Sequence, residues 1–197
     1  MITTEQIKEL RDSTGVSVMQ CKKALEEAGG DMEKAIVVLN RKSHNLATKK
    51  MGREFGSGAV QSYIHNTGTV GAMVVLSCET DFVAKNEEFK ALAYDIAMQV
   101  VATDPSFLNK EDIKEENIVP VRELMMKEVS GLNKDDEMKE KILQGKIDGY
   151  FKDKILLEQS FIKDDSLTIK NMVERATQKF GERIEITKFV RYSSILK

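Results

Sequence analysis

Residues 70–89 read Val70-Gly71-Ala72-Met73-Val74-Val75-Leu76-Ser77-Cys78-Glu79-Thr80-Asp81-Phe82-Val83-Ala84-Lys85-Asn86-Glu87-Glu88-Phe89. The run Val70 to Cys78 is apolar and of strand length, and an amphipathic helical pattern opens near Glu87, so the chain turns from strand to helix at Glu79–Asn86. Near-continuous apolar character over Ala72–Leu76 fits a strand covered on at least part of both faces. Thr80 stands where a helix cap belongs, and Asp81 complements the dipole of the first turn. Two readings of the corner stay open. In one, Phe82 and Val83 turn inward and the segment merely starts a helix. In the other, Phe82 is an apolar knob, placed between an acid and a polar helix start, that enters a partner.

Outward from this corner, Ala59–His65 and Thr69–Cys78 flank the turn Asn66-Thr67-Gly68 and read as a hairpin, with Gly68 supplying the positive φ. On the other side, Phe89, Leu92, Ala93, Ile96, Ala97, Val100 and Val101 recur at helical spacing until Pro105 and its polar neighbours end the helix. Pro120 suits the first turn of a helix running to about Val129. Residues 135–159 form a charged helix or a pair of helices, with Gly145 and Gly149 as weak points. Asp165 or Ser166 is expected to cap a helix carrying Leu167, Ile169, Met172, Val173 and Ala176 and ended by Gly181. Ile184–Tyr192 alternates in part and should lie as a third strand beside the hairpin.

Residues 3 to about 40 read as three short helices. Thr3 with Gln6 and Ser17 with Gln20 are candidate capping boxes, Gly29-Gly30 ends the second helix, and Asp31 caps the third, which carries Met32, Ala35, Ile36 and Leu39 on one stripe. So small a bundle is of marginal stability. Arg41, Lys42, Lys49, Lys50 and Arg53 then form an acid-free basic segment, readable as a phosphate-binding tether or as a solvated helical linker. Gly52, Gly56 and Gly58 place a boundary at about residue 55, giving a three-helix module with basic linker over 1–54 and a core over 55–197. The fold class is α+β: the bundle, then helices packed on a small antiparallel sheet.

The 197 residues carry 30 basic and 32 acidic side chains, 41% hydrophobic and 31% charged residues, which suits a folded globular chain and gives nucleic acid no surplus of cations to exchange for counterions. No run approaches the length of a membrane span, and Met1-Ile2-Thr3-Thr4-Glu5-Gln6 lacks a secretory pattern, so a cytoplasmic location is expected. Cys21 and Cys78 are far apart, as are His44 and His65, and neither pair has metal-ligand spacing. No Gly-rich phosphate loop or nucleophile elbow is present, and Gly56-Ser57-Gly58 lacks the flanking residues such loops need. Lys22-Lys23 and the carboxylate runs Glu111–Glu116 and Asp135–Glu140 read as solvated faces. The expectation is no enzyme, no cofactor and no bound metal.

Cys78-Glu79-Thr80-Asp81-Phe82-Val83-Ala84-Lys85-Asn86-Glu87-Glu88-Phe89 resembles the signature of the elongation factor Ts family, guanine-nucleotide exchange factors of bacterial and organellar translation. Leu10-Arg11-Asp12-Ser13-Thr14-Gly15, followed by Cys21-Lys22-Lys23-Ala24-Leu25, resembles a second signature of that family. Leu156-Leu157-Glu158-Gln159, before Phe161-Ile162-Lys163-Asp164-Asp165, resembles a third. The three stand in the family's order from residue 10 to residue 165, and the three helices resemble the ubiquitin-associated type of bundle that opens family members.

The resemblance implies a partner, the GTPase elongation factor Tu, whose Mg²⁺ and nucleotide site would be disturbed by an inserted acid and aromatic pair. Asp81 and Phe82 match that pair, with Thr80 before them and Val83, Ala84, Lys85 and Asn86 setting the angle of presentation. The N-terminal contact of the family falls on Arg11, Val18 and Met19, with Lys22 and Lys50 as further positions. Departures lie in Val16-Ser17-Val18-Met19-Gln20, where members commonly read Ala-Gly-Met-Met-Asp, and at Ser160, which replaces a usual proline and should loosen the local turn. Longer members carry a duplicated core, whereas one core fits here, so a homodimer offering two cores to two partners is expected. Neither nucleic acid nor membrane is expected as a direct partner. Two other classes compete: an adaptor working through the bundle alone, and an RNA-binding protein using Arg41–Arg53, disfavoured by the near-neutral charge and the lack of an aromatic stacking platform.

Overall fold

The computed structural model describes residues 2–194. In chain order the elements are α1 (Thr4–Thr14), α2 (Val18–Glu27), α3 (Met32–Lys50), β1 (Ser57–Ile64), β2 (Val70–Cys78), α4 (Asp81–Ala84), α5 (Glu87–Thr103), α6 (Glu115–Ser130), α7 (Asp136–Lys152), β3 (Ser160–Phe161), β4 (Asp164–Thr168), α8 (Ile169–Phe180) and β5 (Glu185–Ser193). This is the α+β architecture read from the sequence. Contacts group the chain into two compact units. One holds the part up to Val101 and the part from Lys170 on; the other is Ala102–Ile169.

In the first unit, α1–α3 close around Leu10, Val16, Cys21, Ala24, Leu25, Ala35 and Leu39. Thr3 and Gln6 form the reciprocal capping box, and Gly29 and Gly30 both take positive φ to end α2. Ser17 caps α2 by accepting from the Gln20 amide, but the box is not completed, because the Gln20 carboxamide accepts from Gln178 Nε2 at 3.2 Å instead. The basic segment continues α3 to Lys50, which favours the helical reading, yet its inner side is not solvated. Ser43 is buried and bonds Gln178, His44 Nδ1 lies 2.8 Å from Glu174 Oε1, and Asn40 Oδ1 accepts from Arg175 Nε at 2.9 Å. A polar seam therefore binds α3 to α8.

The sheet has the order β1-β2-β5 with both pairings antiparallel, so β2 is central. Its residues alternate: Ala72, Val74 and Leu76 are buried, and Met73 points to the exposed face. On the covered face Tyr94 of α5 meets Tyr63 edge-on at 5.6 Å, and Arg191 Nε donates to the Val101 carbonyl at 3.2 Å. Phe89, fully buried, stands edge-on to Phe180 at 6.0 Å. The opposite face leaves Val60, Ile64, Met73, Val190 and Tyr192 exposed. Asp104 takes a positive φ of 51° just before Pro105, which ends α5 at Thr103.

In the second unit α6 and α7 pack through Val129, Leu143, Ile147 and Phe151. Two expectations are corrected here. Pro120 lies inside α6 rather than in its first turn, because Asn117 Oδ1 accepts the Lys114 amide at 2.9 Å and Glu115-Glu116 start the helix earlier. Asp165 and Ser166 do not cap a helix. Asp164 Oδ1 takes the Ser166 amide and hydroxyl at 3.1 and 2.6 Å, making a turn from residues that serve caps equally well, and Leu167 belongs to β4. Residues 136–152 form one helix straight through Gly145 and Gly149. Ser160 is not in a loose turn: it pairs with Thr168, with a register shift beside it. Gln159 of the third signature is buried, its Oε1 accepting from the Thr103 hydroxyl at 2.7 Å and its Nε2 donating to the Asp153 carbonyl at 2.8 Å. That motif residue joins the second unit internally.

Phe89→Ala is expected to cost about 3–5 kcal/mol of unfolding free energy, the range for truncating a buried aromatic, as read from urea denaturation of the first unit's transition.

Candidate partner-binding site

β2 ends at Cys78, and the chain bends at Glu79 and passes through extended Thr80 into the single turn α4. Ala84 N–H donates to the Thr80 carbonyl at 3.2 Å and Lys85 N–H to the Asp81 carbonyl at 3.0 Å. In one helical turn successive side chains diverge by about 100°. Val83 and Ala84 therefore enter the core, Val83 at 4% exposure, while Asp81, Phe82 and Lys85 face out. Phe82 is 82% exposed. The inward reading of the corner is correct for Val83 and wrong for Phe82, because a four-residue helix has only one side to bury.

The neighbours hold this turn from both ends. Asn86 Oδ1 accepts the Glu88 amide at 2.8 Å and so caps α5. Asp81 pairs with Lys85 at 2.6 Å, and this hydrogen bond and charge keep its carboxyl below the usual range. Both groups are exposed, so the pair adds little stability and chiefly fixes where the acid points. Thr80 occupies the cap position without a side-chain bond to the helix; its hydroxyl donates to Glu182 Oε1 at 2.5 Å. Beneath the turn, Cys78 Sγ lies 3.2 Å from the Thr80 carbonyl, and burial with the nearby Glu182 charge pushes its thiol up to about 11.

The N-terminal positions fall into two groups. Val18 and Met19, 53% and 64% exposed, stand on the first turn of α2, with Arg11 exposed near the end of α1 and Lys22 exposed and 3.9 Å from Glu26. Lys50 differs: it is 7% exposed, donates to the Gly181 carbonyl at 2.6 Å and lies 3.8 Å from Glu79. Its charge is committed within the fold. Lys179 of α8 brings the two regions toward one end of that helix. It pairs with Glu88 at the start of α5, and a Cβ added to Gly15, between α1 and α2, would meet its Nζ at 3.3 Å. Burial, then the nearby Arg11 charge, lowers the Lys179 pKa.

Sequence reasoning missed Glu182 and Arg183, which hold the Glu79–Thr80 stretch. Their partners lie about a hundred residues away, and nothing local marks a polar turn residue as a brace. Among the described residues no group of three or more His, Cys, Asp or Glu is arranged to hold a metal ion, and no helix is long and apolar enough to cross a membrane.

The turn thus holds an exposed aromatic ring on a backbone pinned at both ends. The family described as Elongation factor TS matches residues 9–194. Proteins called Elongation factor Ts are similar over nearly the whole chain. That of Carboxydothermus hydrogenoformans is 45% identical over 192 residues, 98% of this chain and 88% of its own. The Thermodesulfovibrio yellowstonii protein is 46% identical over 191 residues, 97% of this chain and 95% of its own. The Coprothermobacter proteolyticus protein is 42% identical over 192 residues, 98% of each. The chain belongs to the elongation factor Ts family: it is a translation elongation factor of the nucleotide-exchange kind.

Because Phe82 makes its contacts with solvent, Phe82→Ala should leave the stability of the free protein within about 0.5 kcal/mol of wild type in a thermal melt. Cys21 and Cys78, both buried with raised pKa, should resist alkylation at pH 8 in the folded protein and react on denaturation, which mass spectrometry of iodoacetamide-treated samples will show.

Proposed function

We propose that this chain binds elongation factor Tu in the cytoplasm and promotes exchange of its bound GDP for GTP by inserting Asp81 and Phe82 beside the partner's Mg²⁺ and nucleotide site. The observation that carries this reading is the outward Phe82 on its pinned turn. The factor works by binding the nucleotide-free partner more tightly than the nucleotide-bound one, and linkage makes the antagonism reciprocal. A shift of release by about 10⁴ needs roughly 5.5 kcal/mol of differential affinity. Truncation of a desolvated aromatic anchor typically costs about 2 kcal/mol or more, so Phe82 with its surroundings is of the right magnitude. Asp81 would act on the groups around the metal, and Thr80, Val83, Ala84, Lys85 and Asn86 would hold the pair at its angle. No chemical bond is made or broken by the factor itself, and neither nucleic acid nor membrane takes part.

Residues 1–54 serve in this reading as the module that makes a second contact, through Arg11, Val18, Met19 and Lys22, and 55–197 as the core that carries the wedge. Lys50, buried against Gly181 and Glu79, would contribute through the position of α3 rather than by touching the partner. The exposed sheet face of Val60, Ile64, Met73, Val190 and Tyr192 supports a homodimer. It is an apolar face on a sheet whose other side is already covered, and a second copy would bury it by a two-fold contact with Met73 near the centre.

Stopped-flow release of a fluorescent GDP analogue from elongation factor Tu tests the exchange. Wild type should accelerate release, and Phe82→Ala should slow it by about thirtyfold at equal concentration, the factor corresponding to roughly 2 kcal/mol. Equal acceleration by both would move the site elsewhere, and no acceleration by folded wild type would end the exchange reading. Light scattering should give the dimer mass at micromolar concentration and the monomer mass for Met73→Glu; a monomer throughout would remove the dimer.

A further inference from the structure

Between the last paired residue of β2 and the first turn of α4 stand only Glu79 and Thr80, and both are held by the turn Gly181-Glu182-Arg183 that joins α8 to β5. Glu182 Oε2 accepts the amides of Glu79 and Thr80, each at 3.0 Å, and Oε1 accepts the Thr80 hydroxyl at 2.5 Å. The arrangement is answered in the other direction. Glu79 Oε1 accepts the Arg183 amide at 2.6 Å, and the Glu79 carboxylate takes the Arg53 guanidinium at 3.0 and 3.3 Å. Lys50, 3.8 Å from Glu79, also donates to Gly181. The Arg183 guanidinium bonds the Arg53 carbonyl and Glu185 and lies 4.2 Å over the Phe55 ring.

We propose that Glu79 and Glu182 form a reciprocal carboxylate clasp that sets the direction in which Phe82 is presented, making both of them positioning residues for nucleotide exchange. The inference rests on the reading of Asp81 and Phe82 as the wedge. Three features favour a positioning role. The clasp grips the only two residues between β2 and the wedge turn, so it determines how α4 leaves the sheet. It replaces a local cap, since Thr80 gives its hydroxyl to Glu182 and none of its side chain to α4. It also reaches the end of α3 through Lys50 and Arg53, so one carboxylate, Glu79, links the wedge base to the helix that leads from the N-terminal bundle. Burial raises the Glu79 carboxyl pKa, but the Arg183 amide, Arg53 and Lys50 together outweigh it and hold the group below its usual range. The carboxylate is thus charged throughout the neutral range.

Removing the clasp frees the turn to sample other directions, so the partner must order it on binding, and the loss appears in affinity rather than in the rate at saturation. Glu182→Ala should lower kcat/KM for GDP release from elongation factor Tu by about tenfold, the usual scale for hydrogen bonds to a charged group. The effect should lie mainly in KM. Glu182→Gln keeps one oxygen to accept the backbone amides and an amide group to meet the Thr80 hydroxyl, and should recover most of the activity. Hydrogen exchange on the free protein gives a readout without the partner: the Glu79 and Thr80 amides should open in Glu182→Ala while the β2–β5 ladder keeps its protection. Unchanged protection of these two amides, or wild-type KM in a Glu182→Ala protein whose amides have opened, overturns the clasp. If Glu182→Ala loses ladder protection as well, Thr80→Val decides, since it removes one clasp bond and keeps the backbone: an unchanged KM then overturns the proposal and a raised one supports it. Phe82→Ala in the same series separates the two ideas. A silent Phe82→Ala removes the wedge, whereas an impaired Phe82→Ala beside a wild-type Glu182→Ala removes only the clasp.

Discussion

The antiparallel pairing of β2 with β1 on one side and β5 on the other is the constraint on which the first unit depends. A central strand has its ladder hydrogen bonds satisfied on both edges, so its register and its end point are determined together. β2 ends at Cys78, and whatever follows is launched from that point. The turn α4 therefore starts from a point the sheet sets, with Val83 and Ala84 anchored in the core and Phe82 turned out by the geometry of a single helical turn. A loop would have offered the same residues at a greater entropic cost to any partner.

The N-terminal bundle is attached by different physics. Its own core is small and apolar, but its contact with α8 is a row of hydrogen bonds: Gln20 and Ser43 with Gln178, Asn40 with Arg175, His44 with Glu174. Hydrogen bonds exchanged against water add only about 0.5–1.5 kcal/mol each, yet they are directional, and a half-satisfied alternative is penalised more than the correct one is rewarded. Such a seam determines how α3 lies on α8 more strongly than how tightly it is held. Val18 and Met19 stand on α2, which packs into the apolar bundle core through Cys21, Ala24 and Leu25 and meets α8 through Gln20.

Much of the fold was readable because its signals are local. The Thr3–Gln6 box, the Gly29-Gly30 stop, the hairpin around Gly68 and the stripe on α5 depend on neighbours within a few residues. The errors have local causes of another kind. Asp164, Asp165 and Ser166 carry side chains that serve turns and caps alike, and Pro120 was placed by its preference for a first turn although the cap three residues before Asn117 starts α6 earlier. At the site, the local residues around Phe82 favour the inward reading and only the family resemblance marks the ring as a knob, while Lys50 looks like any surface lysine.

By itself the sequence determined the kind of protein: the α+β class, the three strands of the β1-β2-β5 sheet, and three family signatures that agree with the match over residues 9–194. Periodicity and capping are short-range properties, and a chain writes them directly. Only the tertiary structure decided which side of the Asp81–Ala84 turn is buried, that Lys50 is held inside, and that Glu182 reaches Thr80 across 102 positions of chain. Those outcomes depend on which surfaces meet once β5 has paired with β2, and no window of sequence short enough to read contains both partners.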